Sequence, residues 1–568
     1  MKNKRRVINL FFMVVSLLLI LSFFALLLSF EVKISDKETF EIIDEKSQDT
    51  IVCTYYSGSI PFGVIVMQGF SSDQISIKSI VMEFNLQGFH VLTFDYSGHG
   101  RSSGFVDFNN TATDIQAQQI QQVKGVFKSL TGLNDSQIVL IGQSYGARIA
   151  LQEQTFDSLA VAGLILIGAQ INLDIENKVD VFTGVSDLEL DWIINLGTNN
   201  PKTNITILTG IWDDVLPPKG AILLYEKLIN DSYSSVGSYY MGANNLSREL
   251  IFFERVFHNY EIYSSKIIQT ALERATNFFG LDLEEVNYIS ITKWRNISWL
   301  MIIIGFYTFF ILCSSLLNNK KLYNQKPKDS FNFEIQKANK FFLAKTITFL
   351  LSIPIMILIS MLFLIFGMDL PLLAISYTGF FFGLGITELL FYWKGKMIGI
   401  KGEWQIDTIF KKPNKIDFKN LGLILSVFLV ILIFISFFTQ TGLWFFFPIR
   451  KILWLVILTP FSSIGFYISI KQLKMISKDK ERFFMNLLGF IGIILSLILI
   501  VIILALIFGF IGIIISIFEI SIILGFIVLF GILLNKISRN DFLTAFILAF
   551  LLLWLVLPQS VVFRNPLY

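Results

Sequence analysis

The chain has 568 residues, of which 54% are hydrophobic and only 16% are charged. A soluble protein of this size carries about a quarter charged residues, so the composition excludes a wholly soluble chain and places part of it in lipid. The formal net charge of +3 is too small to indicate a nucleic-acid partner or a strongly acidic substrate. Two cysteines, Cys53 and Cys313, are too few for a disulfide framework or a cysteine metal site.

The first predicted element is an apolar helix at the N-terminus. A basic cluster in residues 1–6 precedes an uninterrupted apolar run, Val7–Phe30, which is long enough to cross a hydrocarbon core of about 30 Å. We interpret this run as a retained signal anchor. A cleaved signal peptide is the alternative, but its apolar region is usually roughly 7 to 15 residues long and ends at small residues.

Residues 31–296 have a mixed composition in which short β-branched runs alternate with helix-like stretches. This alternation is typical of one α/β domain. From residue 297 to residue 568 the chain is apolar again and predicts an all-α membrane domain. We expect about eight transmembrane helices, centred near residues 307, 355, 382, 430, 460, 496, 522 and 550.

The distribution of Lys and Arg predicts the orientation in the membrane, because short cytoplasmic loops collect basic residues. With the N-terminus in the cytoplasm, the loops predicted inside are the basic ones, and only Arg450 with Lys451, and Arg564, break the pattern. This orientation places residues 31–296 and the C-terminus on the outer side of the cell membrane. Asn-x-Ser/Thr sequons lie in residues 31–296 and agree with that placement. The basic loops are 318–342, 394–419, 471–482 and 535–541.

The clearest chemical motif is a G-x-S-x-G sequence formed by Gly142, Ser144 and Gly146. A β-branched run precedes it and a helix-like stretch follows it. A nucleophile on a tight strand-to-helix turn needs small residues two positions before and after it, because the neighbouring backbones approach too closely for a Cβ. The start of the helix also offers N–H groups to an oxyanion.

A serine hydroxyl becomes a strong nucleophile only when a histidine accepts its proton, and the histidine needs a carboxylate to fix its tautomer. After Ser144, the strand-like run 205–209 leads to a loop that carries Asp213 and Asp214, and a second β-rich run, 250–257, ends at His258. The order Ser, Asp, His is the order of the α/β-hydrolases. Either acid of the loop is available to the histidine.

With these motifs in register, residues 50–280 resemble the α/β-hydrolase superfamily, with its mostly parallel central sheet. Residues 94–104, Phe-Asp-Tyr-Ser-Gly-His-Gly-Arg-Ser-Ser-Gly, resemble the D-x-x-G-x-G-x-S-x-G turn of its monoacylglycerol-lipase-like, serine-aminopeptidase-like and palmitoyl-protein-thioesterase-like branches. The resemblance implies Ser144 as the nucleophile, His258 as the general base and acid, and Asp213 as the orienting carboxylate. Asp214 is the alternative to Asp213.

The resemblance also implies an oxyanion hole made by two backbone N–H groups, those of Tyr145 and Phe70. Phe70 lies in the loop after the strand-like run 63–67. Many relatives have a histidine where this chain has Gln68, so the shape of the pocket differs there. His99 lies in a glycine-rich turn where the family has a structural residue, and we assign no catalytic role to it or to His90.

We interpret residues 169–203 as a small lid, because this stretch is longer than a bare crossover needs and contains Trp192 among apolar residues. A lid over an apolar entrance near the membrane suits an acyl chain. The sequence therefore predicts a membrane-bound serine esterase, lipase or thioesterase that cleaves an ester, thioester or small amide with a hydrophobic acyl part. The expected partners are a lipid-like acyl substrate and membrane lipid, without nucleic acid, cofactor or metal.

The alternative function belongs to the membrane half. Glu388 and Glu519 lie within predicted spans, where an unpaired carboxylate costs about 2.5 kcal/mol or more. They mark either an ion or substrate path or a hydrogen-bonded contact between helices. Under the first reading the chain is a transporter or channel, and its hydrolase-like outer domain is a binding or regulatory module.

Overall fold

The computed structural model describes most of the N-terminal half of the chain and several helices of the C-terminal half. The chain divides into two compact units, and each is described by itself: one comprises Met1–Phe24 and Trp299–Leu557, and the other Ala25–Ser298 and Pro558–Tyr568. The described residues are 2–34, 37–106, 112–157, 159–169, 173–174, 179–180, 196, 201–213, 215–229, 239–241, 246–281, 290–316, 334–335, 338–365, 370–393, 400–401, 451–476, 531, 534, 540–558 and 560–563.

A nine-stranded sheet, counted over the described residues, is the centre of the unit that contains Ser144. We label its strands in chain order. They are β1 (Lys37–Ile43), β2 (Thr50–Tyr56), β3 (Gly63–Met67), β4 (His90–Phe94), β5 (Ile138–Gln143), β6 (Gly163–Ile167), β7 (Asn204–Gly210), β8 (Tyr239–Met241) and β9 (Ser247–Phe253).

The strands are arranged in the order β1-β2-β4-β3-β5-β6-β7-β9-β8. The six strands from β4 to β9 in this order run parallel, whereas β1, β2 and β8 pair antiparallel at the two edges. The predicted α/β-hydrolase fold with a mostly parallel sheet is confirmed. Because the carboxyl ends of parallel strands meet at one edge, the loops after β3, β5, β7 and β9 emerge together there.

The central strands β3, β5 and β6 are buried along their whole length, and so on both faces, as their apolar sequences predict. In β3, Ile65 and Met67 belong to one hydrophobic core, whereas Val64 and Val66 belong to the other. This alternation follows from the two-residue period of a strand. Helices α2 (Lys78–Leu86), α3 (Ala112–Thr131), α4 (Tyr145–Phe156), α5 (Pro218–Ile229) and α6 (Ser265–Phe278) supply the rest of the two cores, with short 3₁₀ turns at Asp135–Gln137 and His258–Tyr263.

The helices outside this sheet domain are long and apolar. They are α1 (Lys2–Lys33), α7 (Thr292–Leu316), α8 (Ala338–Ile365), α9 (Leu372–Trp393), α10 (Ile452–Ile476) and α11 (Asp541–Val556). The remaining strands are the two-residue pieces Leu173–Asp174, Val179–Asp180, Glu334–Ile335, Leu370–Pro371, Ile400–Lys401 and Val562–Phe563.

Helices α8, α9 and α10 approach closely at small residues. A Cβ at Gly383 would lie 2.8 Å from the Ser352 carbonyl oxygen, and one at Gly465 would lie 2.1 Å from that of Phe381.

Three helical segments of the described part are long and apolar enough to cross a membrane by length and composition, namely Val7–Lys33, Thr346–Phe363 and Ile452–Ile470. The predicted spans near residues 307, 355, 382, 460 and 550 fall on α7 to α11. Those near 430, 496 and 522 lie outside the described residues. The domain boundaries and the orientation in the membrane stay predictions.

We predict opposite effects on stability for two glycine-to-alanine substitutions. In Gly210→Ala, at the end of β7, the new Cβ lies 2.1 Å from the backbone oxygen of Val256, so the backbone must move. We expect a loss of about 1–3 kcal/mol in the free energy of unfolding. Gly125→Ala, on the exposed face of α3 with nothing within 4 Å, should stabilise by about 0.5–1 kcal/mol. Denaturant unfolding of the purified chain measures both, and a shift of both in the same direction would contradict the packing described.

Candidate active site

Ser144 lies on a strained turn between β5 and α4. Its backbone angles are φ 53° and ψ −113°, which an L-residue rarely adopts. The turn is tight because a Cβ at Gly142 would lie 2.4 Å from the carbonyl oxygen of Gly146. The Ser144 N–H donates to the Ile167 carbonyl of the neighbouring strand β6 at 2.8 Å, which holds the turn at the end of the sheet.

The loop after β3 packs directly against this turn. A Cβ at Gly146 would lie 2.6 Å from the Gln68 carbonyl oxygen, and a Cβ at Gly69 would lie 3.3 Å from the Ser144 Cβ. We call residues 68–71 the oxyanion loop, since it contains Phe70, one of the two predicted backbone donors. The other, Tyr145, is the first residue of α4, where the helix dipole favours an anion. The rings of Phe70 and Tyr145 pack edge to face at 5.6 Å.

Gln68 differs from the histidine of many relatives, and its side chain is fully buried. Within the described residues, neither polar atom of its amide has a hydrogen-bond partner. An unsatisfied buried amide costs about 1–3 kcal/mol. The loop next to Ser144 therefore carries both this cost and the positive φ of 53° at Ser71, which is typical of strain stored near functional sites.

The turn at residues 95–104 is bonded to the segment that follows the oxyanion loop. The buried Asp95 carboxylate accepts hydrogen bonds from the backbone N–H groups of Gln74 at 2.8 Å and Arg101 at 2.9 Å. A Cβ at Gly100, whose φ is +45°, would lie 2.3 Å from the Asp95 Cγ. The acid and the glycine of this motif thus fix the turn to the segment that follows the oxyanion loop.

Asp213 and His258 meet beyond the ends of β7 and β9. The Asp213 Oδ1 accepts from the N–H groups of Val215 and Leu216 at 3.1 and 2.7 Å, which fixes the carboxylate. Its Oδ2 lies 2.8 Å from the His258 Nδ1. Both side chains are buried, with 5% and 4% of their surface exposed. Asp214, the alternative acid, lies outside the described residues.

The other ring nitrogen of His258 faces the nucleophile turn. Its Nε2 lies 3.5 Å from the side-chain nitrogen of Gln143, the residue before Ser144. When the Nδ1 proton is donated to Asp213, the Nε2 of a neutral ring keeps its lone pair. The ring therefore presents a proton acceptor to the side of the sheet where Ser144 lies.

Glu261 is a second buried acid beside His258, and the sequence reasoning missed it. Its Oε1 accepts from the Gly210 N–H at 2.8 Å, and its Oε2 lies 3.7 Å from the His258 Nδ1. Burial raises the pKa of Glu261 to about 8, the His258 charge lowers it and the Asp213 charge raises it. The available signal was the spacing of three residues, because positions i and i+3 fall on one face of a 3₁₀ turn.

Asp213, His258 and Glu261 are also the one group in the described part of the chain whose donor atoms lie close enough together for a metal ion, within 4.8 Å of one another. No metal was predicted from the sequence. Since Nδ1 of His258 already bonds to Asp213, we interpret the group as a histidine supported by two carboxyl groups rather than as a metal centre.

The remaining predicted residues lie apart from this group. His99 is fully buried and stacks on the Tyr145 ring at 6.1 Å, and the His90 Nδ1 lies 2.7 Å from the Tyr55 hydroxyl. Glu388 is fully buried in α9. Glu519 lies outside the described residues, as does most of the predicted lid at 169–203.

Part of the hydrolase domain matches a known protein family. Residues 62–204 match the model of a family described as serine aminopeptidase, S33. No curated protein sequence matches the chain.

Solved structures that match part of the chain include an esterase of Pyrococcus furiosus, with 16% identity over 44% of this chain and 93% of that one, at a TM-score of 0.33. The monoacylglycerol lipase of Paleococcus ferrophilus has 13% identity over 42% and 99%, at 0.31. A bacterial membrane phospholipase A has 15% identity over 49% and 99%, at 0.32.

The family match spans the oxyanion loop, the glycine-rich turn and the Ser144 turn, and the sheet has the order and direction described above. The chain therefore contains a domain of the α/β-hydrolase superfamily.

Proposed function

We propose that this protein is a membrane-anchored serine hydrolase that cleaves an ester, thioester or small amide with a hydrophobic acyl part. The observation that carries the proposal is the buried 2.8 Å contact between the His258 Nδ1 and the Asp213 Oδ2. It leaves the Nε2 of His258 facing the turn on which Ser144 lies. Acyl transfer by a serine requires a histidine that a carboxylate orients, and this contact supports that part of the proposal.

In the proposed first step, the Ser144 Oγ attacks the acyl carbonyl carbon while the His258 Nε2 accepts the hydroxyl proton. Asp213 stabilises the imidazolium that forms. The negative charge on the former carbonyl oxygen is bound by the N–H groups of Phe70 and Tyr145 at the positive end of α4. The tetrahedral intermediate collapses, and His258 gives its proton to the departing alcohol, thiol or amine.

In the second step, water attacks the acyl group on Ser144. His258 accepts a proton from that water, and the acid product leaves as the proton returns to the Ser144 Oγ. The same donors bind the second oxyanion.

An apolar rim next to the acid loop supports a hydrophobic substrate. Ile211 and Trp212 are about half exposed, although both side chains are large and apolar. The Trp212 ring packs against that of Phe257 at 5.4 Å, and Phe257 directly precedes His258. Exposed aromatic side chains beside a reactive group offer a binding surface for an acyl chain.

The long apolar helices support the membrane anchorage. Val7–Lys33 is long and apolar enough to cross a membrane, and many of its apolar side chains are exposed, among them Phe11 and Leu18. An exposed apolar surface of that length is suited to lipid. We further propose that the hydrolase domain lies on the outer side of the membrane, as the distribution of Lys and Arg predicts.

The first prediction concerns the nucleophile. Ser144→Ala should abolish labelling by a fluorophosphonate probe and reduce hydrolysis of a p-nitrophenyl acyl ester by at least about 10³-fold, since no acyl-enzyme can form. Ser136→Ala, on the exposed turn 135–137, is the matched control and should leave both signals unchanged. Equal labelling of wild type and Ser144→Ala would contradict the proposal.

The second prediction concerns the acyl part. Across p-nitrophenyl esters from two to twelve acyl carbons, kcat/KM should rise with chain length as more apolar area is buried. Trp212→Ala should flatten that rise and leave the acetate ester nearly unaffected. Exposed Leu159, on the loop before β6, provides a control in Leu159→Ala, which should retain the wild-type profile. A profile that falls with chain length in the wild type would exclude a hydrophobic acyl preference.

The third prediction separates the roles of the two acids near His258. Asp213→Asn should lower kcat/KM by about 10³- to 10⁴-fold because it stabilises the wrong tautomer, whereas Glu261→Gln should stay within about tenfold of wild type.

Glu261 should also make the stability of the protein depend on pH. Glu261 stays protonated in the fold up to about pH 8 but ionises in the unfolded chain above about 4.5, so wild-type stability falls as pH rises through this range.

Glu261→Gln should remove this decrease of stability with rising pH. Its Tm should exceed that of wild type near pH 8, and the difference should vanish near pH 4.5. Thermal unfolding of both full-length proteins from pH 4.5 to 9 measures the difference. Parallel Tm curves, or a greater loss of activity in Glu261→Gln than in Asp213→Asn, would show that Glu261 is the ionised partner of His258.

A further inference from the structure

The segment after the last apolar helix returns to the hydrolase domain. Two residues beyond the end of α11, Pro558 begins a tail whose residues group with the sheet domain. The Val562 N–H donates to the Gly98 carbonyl at 3.0 Å, and the Val562 carbonyl accepts from the Val106 N–H at 2.9 Å. Val562 thus bonds to both ends of the loop 98–106, which overlaps the glycine-rich turn at residues 95–104.

The neighbouring residue, Val561, is buried against the hydrolase domain. Only 1% of its surface is exposed, and it forms a small hydrophobic cluster with Val106 and Phe70. Phe70 is partly buried, and its ring also meets those of His99 at 5.8 Å and Tyr145 at 5.6 Å. The cluster that contains Val561 therefore packs on the residue that carries one of the two proposed oxyanion donors.

The position of that donor depends on how Phe70 is held. The loop backbone packs on the Ser144 turn, since a Cβ at Gly69 would lie 3.3 Å from the Ser144 Cβ, and Ser71 has a φ of 53°. The Phe70 ring adds a second set of contacts to this packing. It meets the rings of His99 and Tyr145 and packs on the cluster of Val106 and Val561.

We infer that the C-terminal tail is a positioning element of the active site, in which Val561 holds Phe70 and thereby fixes the backbone N–H that binds the oxyanion. This inference rests on the proposed serine-hydrolase function. It gives the C-terminal half of the chain a part in catalysis beyond anchoring, since the tail is continuous with α11. Any ligand or change that shifts the tail would alter turnover without contact to the substrate.

The inference is tested with Val561→Ala in the full-length protein. Loss of one oxyanion donor typically costs 10²- to 10³-fold in kcat, and a donor that is loosened rather than lost should cost about tenfold. We expect kcat per active site, counted by fluorophosphonate titration of Ser144, to fall by about tenfold while KM for a short acyl ester changes less than about twofold. The pH profile of kcat/KM should not shift, because His258 and its acids are untouched.

Matched variants separate this role from a general loss of stability. Val561→Ile keeps a branched apolar side chain and should restore most of the turnover. Val562→Ala removes the same two methyl groups from the next residue, which is partly exposed and keeps its backbone bonds, so it should resemble wild type. Val106→Ala removes the partner of Val561 in the cluster and should cause the same loss of kcat. It replaces Val561→Ala as the test if that variant fails to fold.

Wild-type kcat per titrated site in Val561→Ala, or in Val106→Ala where the first variant does not fold, would overturn the inference. An equal loss in Val561→Ala and Val562→Ala would overturn it too, since it would indicate general loosening of the tail. Absence of labelling and hydrolysis in the wild type is a different result, because it contradicts the proposed function itself.

Discussion

The close approach of backbones around Ser144 is the constraint from which the rest of the site follows. Strand β5 must end and α4 must begin within one residue, so Ser144 takes a positive φ of 53° and the flanking glycines have no room for a Cβ. The strain is maintained by the neighbouring strand, through the Ser144 N–H and the Ile167 carbonyl, and by the oxyanion loop packed on Gly146. The parallel sheet then brings the loops after β7 and β9 to the same edge, and with them Asp213 and His258.

Burial determines the electrostatics at this edge. His258 has two carboxyl groups within 3.7 Å of its Nδ1, and two like charges so close together in a buried site are unfavourable. The Asp213 Oδ1, the oxygen that does not face the ring, accepts hydrogen bonds from two backbone N–H groups. Within the described part of the chain, Glu261 accepts its hydrogen bonds on Oε1, and burial raises its pKa to about 8. The two acids next to a single imidazole thus differ in their hydrogen bonds, and Glu261 stays protonated to a higher pH than an exposed glutamate.

Much of this arrangement could be predicted from the sequence, because its signals are local. The strand, the two glycines and the helix around Ser144 are adjacent in the chain, and the order of Ser144, Asp213 and His258 matches a known fold. The roles assigned to these residues and to the donors Phe70 and Tyr145 stay predictions. Glu261 was missed because its spacing of three residues from His258 is a weak signal by itself, and its contact with Gly210 joins residues 51 positions apart. The cluster of Val106 and Val561, on which Phe70 packs, joins distant segments of the chain, and no local pattern encodes it.

The central claim is that Ser144 carries the acyl group during turnover. Incubation of the full-length protein with a slowly released acyl ester, rapid acid quenching and peptide mass spectrometry would test it directly. We predict that the mass of one acyl group appears on Ser144 and that it decays at the rate of product release. Continued turnover with an unmodified Ser144, or an acyl group that forms on another residue at the turnover rate, would contradict the account.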